Sequence, residues 1–140
     1  MLIHPDILFP LNPETRSIAR RLYKSVAQLP IISPHGHVNP AWFALNKPFS
    51  DPTELFVTPD HYVLRMLVSQ GLSLETLYTK DPKLSICQET KRIIWRHFCE
   101  GYHLFRATPS RFWLDYAFGN LFNLDERPSK KNADKLFDMI

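Results

Sequence analysis

The chain has 140 residues, 44% of them hydrophobic and 22% charged, which is enough apolar content to bury a globular core. A formal net charge of +3, with basic residues scattered among acids, lacks the basic stripe that nucleic-acid binding requires. Two cysteines, no basic-headed apolar leader at the N-terminus and no apolar run of transmembrane length give the expectation of a cytoplasmic protein with neither a membrane nor a nucleic acid as partner.

Taken in chain order, residues 1–11 read as irregular, with Ile7, Leu8 and Phe9 packing onto the body. Asn12-Pro13 is a helix entrance: Asn caps the free amides, and Pro lacks the N–H that would go unpaired. Ile18, Ala19, Leu22, Tyr23 and Val26 then form one apolar face of a helix over about 13–28. Pro30 ends it, and Ile31-Ile32 starts a short buried strand over about 30–35. The region 39–57 reads as loop, interrupted by a helical turn at Asp51-Pro52-Thr53-Glu54 with Glu54 placed for a capping box. Thr58-Pro59 repeats the cap-then-proline device for a helix over about 59–70 that buries Val63, Met66 and Leu67 and stops at Gly71.

Ser73-Leu74-Glu75-Thr76 starts a further short helix, broken by Lys80-Asp81-Pro82. Ser85-Ile86-Cys87-Gln88 is a capping-box signature for a helix carrying Ile86, Ile93, Ile94, His97 and Phe98 up to Gly101. Cys87 and Cys99 both fall on that helix, too far apart along its axis to pair. Thr108-Pro109 opens a helix with Phe112, Trp113, Tyr116 and Ala117, and Ser129 caps a last one with Ala133, Leu136, Phe137 and Ile140. The expected helical region is thus 51–140. One strand among about six helices is an awkward inventory, since a lone buried strand leaves backbone donors and acceptors without partners. Either it pairs with chain not present here or it is an extended loop.

Two groups of side chains suggest chemistry. His35 and His37, two apart in an extended segment, project to the same side with Gly36 between them, which suits a divalent metal. A structural pair capping a loop fits the same residues, and the sequence leaves both open. His61, Tyr62 and Arg65 cluster on the polar flank of the 59–70 helix, where His61 and Tyr62 can handle protons and Arg65 can hold a carboxylate. A solvated helix face with Asp60 at the dipole is the alternative, and the pattern alone favours it. Trp42, Trp95 and Trp113, with His97 and His103, read as packing residues, and a loop contact suits His103 and Arg106 equally well. No glycine pattern cradles a phosphate.

The motifs Pro30-Ile31-Ile32-Ser33-Pro34-His35-Gly36-His37, Asp51-Pro52, Pro59 to Leu67 followed by Gly71, and Tyr102 to Leu114 resemble, in the same order, the start of the uronate (glucuronate) isomerase family of the amidohydrolase superfamily. The resemblance implies a mainly α portion of a (β/α)8 TIM-barrel fold: its first strand plus a helical N-terminal elaboration. It implies aldose–ketose isomerisation of hexuronates, D-glucuronate to D-fructuronate and D-galacturonate to D-tagaturonate, by proton movement between C2 and C1 through an enediol. It implies His35 and His37 as ligands of a divalent metal such as zinc, His61 and Tyr62 as the catalytic pair that reaches the substrate, and Arg65 as a substrate-binding arginine. A barrel needs about 250 residues, so the chain is expected to be the N-terminal portion of a longer enzyme and inactive by itself. Assembly with copies of itself stays open, as do another amidohydrolase-type hydrolysis and a non-catalytic helical domain or remnant.

Overall fold

The computed structural model describes residues 2–33, 36, 38–77 and 86–140. The chain divides into two units, Ile3–Lys47 and Leu2 with Pro48–Ile140, and among the described residues every regular element is helical.

In the Ile3–Lys47 unit, helix α1 spans Pro13–Val26, and the Asn12 side chain accepts from the Thr15 N–H at 2.9 Å, as the Asn-Pro entrance predicts. Phe9 packs edge-on against Tyr23 with ring centroids 6.0 Å apart, under the Arg20 guanidinium, and Arg20 also pairs with Asp6. Ile7 and Leu8 do not join that contact and are 50% and 75% exposed. Helix α2, Pro40–Leu45, lies inside the region expected to be loop. Its entrance, Asn39-Pro40, is the same device as Asn12-Pro13, with Asn39 accepting from the Ala41 N–H at 3.0 Å.

The strand expected over about 30–35 is not formed among the described residues. Residues 30–33 run without sheet pairing, and Ile31 and Ile32 are 94% and 89% exposed. The reason is physical: a strand exists through its neighbours, and among the described residues no sheet pairing is formed with it. Residues 34 and 35, the end of that expected strand, lie outside the described residues.

The second unit builds its core around α6, Gln88–Glu100. Helix α3, Pro52–Phe56, is capped by Asp51, which accepts from the Glu54 N–H at 2.9 Å. Thr53 ties it to α6 by donating to the Lys91 carbonyl at 2.7 Å. Helix α4, His61–Ser69, starts two residues later than Thr58-Pro59 suggests, because Asp60 rather than Thr58 supplies the cap. It buries Val63, Leu64 and Leu67, with Met66 only partly covered, and stops before Gly71, whose φ of 90° is left-handed backbone that glycine tolerates. Helix α5 is Leu74–Leu77; the break expected at Lys80-Asp81-Pro82 lies outside the described residues.

Helix α6 begins at Gln88 with Cys87 at its cap position, so Ile86 precedes it, and Ser85 of the expected capping box is outside the described residues. Its buried face is Ile94, Trp95, Phe98 and Cys99, whereas Ile93 and His97 face outward. Trp95 donates to the Ala133 carbonyl at 2.8 Å and packs with Phe98 and Phe118, satisfying both its apolar body and its N–H. Both cysteines are free thiols.

A 3-10 turn, Gly101–Phe105, leads to α7, Pro109–Tyr116, where the Thr108 hydroxyl accepts from the Arg111 N–H. Of the four residues expected on this helix, Trp113 and Tyr116 are exposed and Phe112 is half-buried, whereas Ala117, just past the helix end, is buried; within α7 it is Leu114 and Asp115 that point inward. A π-type turn, Ala117–Leu121, follows. Helix α8, Ala133–Met139, has Asn132 rather than Ser129 at its cap position. Ser129 instead donates through its N–H and hydroxyl to the Asn132 side chain at 2.8 and 3.0 Å, holding the turn that precedes the helix.

Candidate functional site

The entrance of α4 places the first polar group. The Asp60 carboxylate accepts from the amides of Tyr62 at 2.8 Å and Val63 at 3.3 Å, pinning the first turn. With Val63, Leu64 and Leu67 committed to the core, helical spacing leaves His61, Tyr62 and Arg65 on the outer flank, where all three are exposed. The structure brings them together. The His61 and Tyr62 rings lie 4.2 Å apart at 33°, and the Arg65 guanidinium sits 4.8 Å from the Tyr62 ring centroid, within cation–π range.

Tyr62, Arg65 and Met66 form one wall of a cavity of about 660 Å³, faced by Phe105 and by Thr108–Ser110 at the entrance of α7. His61 stands behind the Tyr62 ring and outside that lining. The cavity offers a phenol that can donate or accept a proton, a cation suited to a carboxylate, and apolar walls of Met66 and Phe105. Sequence spacing finds Tyr62 and Arg65 because they share a helix. It misses Phe105 and Ser110, which arrive from elements joined to α4 only through folding. The Thr108-Pro109 entrance was the one local signal near them.

His35 and His37 lie outside the described residues. Gly36 between them is exposed, and a Cβ added there would meet nothing within 4 Å. Among the described residues no group of three or more His, Cys, Asp or Glu is arranged to hold a metal ion. His97 and His103, expected to pack, are exposed and line a second cavity of about 570 Å³ with Gln70 and Glu100. His103 keeps a local contact, its Nδ1 lying 3.1 Å from the Glu100 carbonyl.

Apart from the cavity linings, the same unit carries a polar cluster around the buried Tyr102 and Asp115. Tyr102 donates to Asp115 at 2.9 Å, and Arg111 and Arg127 reach the same carboxylate at 3.0 and 3.1 Å. Burial, reinforced by the Asp115 charge, pushes the Tyr102 phenol far above its ordinary value, so it remains a donor at any physiological pH. This cluster holds the 3-10 turn against α7 and lines neither cavity.

Comparison with known proteins agrees with this architecture. The family model described as glucuronate isomerase matches residues 9–140. Uronate isomerase of Rhizobium meliloti is 52% identical over 99% of this chain and 30% of its own, and that of Brucella canis is 52% identical over the whole of this chain and 30% of its own. The crystal structure of glucuronate isomerase from Caulobacter crescentus superposes with a TM-score of 0.84 at 48% identity, covering 98% of this chain and 28% of that one. A Thermotoga maritima uronate isomerase shares the fold, with a TM-score of 0.78 at 24% identity. The chain spans about 30% of the length of the curated relatives it matches, and across nearly all of its own length it belongs to the glucuronate isomerase family.

Proposed function

We propose that the chain is the N-terminal part of an enzyme that interconverts aldo- and keto-hexuronates, D-glucuronate with D-fructuronate and D-galacturonate with D-tagaturonate. The observation that carries this reading is the family match over residues 9–140; the Tyr62–Arg65 cavity adds groups of the right chemistry. In this reading Arg65 holds the substrate carboxylate as a charge-assisted pair. Tyr62, with His61 against its ring, moves the proton between C2 and C1. His35 and His37 would hold a divalent metal, for which zinc suits imidazole ligands; the chemistry such an ion would supply is polarisation of the sugar's oxygens. The helices described here are then an elaboration of a (β/α)8 barrel, and the reaction belongs to the cytoplasm.

The test is a chimera in which this chain replaces the matching part of the Rhizobium meliloti relative. D-glucuronate turnover by the chimera is expected, with Tyr62→Phe lowering kcat by about 10²–10⁴-fold. Arg65→Ala should act mainly on KM. His35→Ala and His37→Ala should each lower bound metal, measured by atomic emission. Unchanged metal content in both histidine variants would remove the ligand assignment, and unchanged kinetics in the Tyr62 and Arg65 variants would remove theirs.

A further inference from the structure

The polar groups around the Tyr62–Arg65 cavity are unequally engaged. On the wall formed by the entrance of α7, the Thr108 hydroxyl is occupied twice, donating to the Phe105 carbonyl at 2.7 Å and accepting from the Arg111 N–H at 3.3 Å, and Pro109 has no N–H to offer. Ser110, half-buried beside them, carries a hydroxyl with no hydrogen-bond partner among the described residues. On the α4 wall, the Tyr62 hydroxyl and the Arg65 guanidinium likewise have no hydrogen bond or ion pair among the described residues, the guanidinium lying over the Tyr62 ring. In the same unit Arg92, Arg96, Arg111 and Arg127 each hold a carboxylate. Three polar heads without partners, set among the apolar walls of Met66 and Phe105, are the pattern of a small-molecule site. The approach of Ser110 is fixed by the backbone: Ala107, with φ of 62°, sits in left-handed backbone that alanine rarely adopts and turns the chain from the 3-10 turn into α7.

We propose that Ser110 hydrogen-bonds the C4 hydroxyl of the hexuronate and so sets the preference between D-glucuronate and D-galacturonate, which differ in configuration at that carbon alone. The proposal rests on the isomerase reading, with the sugar carboxylate on Arg65. The C5 hydroxyl is attached next to that carboxylate and stays at the α4 wall. The C4 hydroxyl is the next along the chain and the first that the facing wall meets. A serine hydroxyl donates or accepts, so it holds the hydroxyl of one configuration, and the C4 epimer leaves it half-buried without a partner.

The experiment measures kcat/KM for D-glucuronate and D-galacturonate in the chimera with Ser110, Ser110→Ala and Ser110→Thr, together with the Kd of each sugar by calorimetry. The ratio of the two kcat/KM values is expected to move about 3–10-fold in Ser110→Ala, the worth of one neutral hydrogen bond. It should return toward the unsubstituted value in Ser110→Thr, which restores a hydroxyl, and the ratio of Kd values should move in the same direction. A merely structural role would weaken both sugars alike and leave the ratio in place. An unchanged ratio in Ser110→Ala, equal loss for the two sugars, failure of Ser110→Thr to restore the ratio, or no binding of either sugar would each overturn the proposal. Binding of both sugars without turnover would instead remove the isomerase reading, and the Kd ratio then decides the role of Ser110 by itself.

Discussion

Two guanidinium groups and a phenol converge on the Asp115 carboxylate, whose side chain is 6% exposed. Replacing it by Asn keeps the shape but leaves those donors with a weaker acceptor. We expect Asp115→Asn to cost about 1–3 kcal/mol and Tyr102→Phe about 1 kcal/mol, read from urea midpoints. Asp51 carries a different consequence. Burial works to raise its carboxyl, but bonds from Ser50, Lys91 and the Glu54 amide outweigh that and hold it below the ordinary 3.8. A carboxyl depressed in the folded state contributes stability that is present above its unfolded value and lost as pH falls through the folded one. Lys91, raised above 10.5 by Asp51 and Glu54 despite the opposing effect of burial, contributes below that value and loses its share only as pH rises through the folded one. Asp51→Asn preserves the cap of α3 while removing the charge. Its stability should therefore fall less than that of the unsubstituted chain as pH drops below about 4, with the difference between the two flat from about pH 5 to 10. Parallel acid limbs in urea titrations would contradict this.

At the scale of elements, the helix entrances were the most legible feature. Asn12-Pro13, Asp51-Pro52 and Thr108-Pro109 all cap as expected, because the cap bond and the missing proline N–H are settled within four residues. Where two caps compete within three residues, sequence alone chose badly: Asp60, a stronger acceptor, starts α4 in place of Thr58. Thr108→Ala should thus cost about 1 kcal/mol, and Asp60→Ala more than Thr58→Ala, compared by thermal unfolding. Buried faces were harder to read. Helix α7 has apolar residues on two sides, and contact with Phe56 covers one face of Trp113 without burying it, so periodicity could not tell which side meets the core.

For the whole molecule, the unit holding α3–α8 has its own aromatic interior, with Trp95, Phe98, Tyr102, Phe105 and Phe118 all nearly inaccessible. The Ile3–Lys47 unit buries none of its described residues. In the proposed enzyme the His35–His37 pair and the Tyr62–Arg65 cavity are contributed by this chain and the remaining groups by chain it does not include. Purified 1–140 should accordingly convert no D-glucuronate in a coupled assay, and measurable turnover would contradict the division of the site.

The amino-acid order alone determined where helices start, that His61, Tyr62 and Arg65 share one flank, and which family the chain resembles, since caps, 3.6-residue spacing and motif order are local properties of the sequence. Only the tertiary structure decided that Phe105 and Ser110 face Tyr62 and Arg65 across a cavity, that Arg127 joins Asp115, and that Ile31-Ile32 lacks a strand neighbour among the described residues. Each of those depends on residues distant in sequence, and no local pattern encodes which distant surface a side chain will meet.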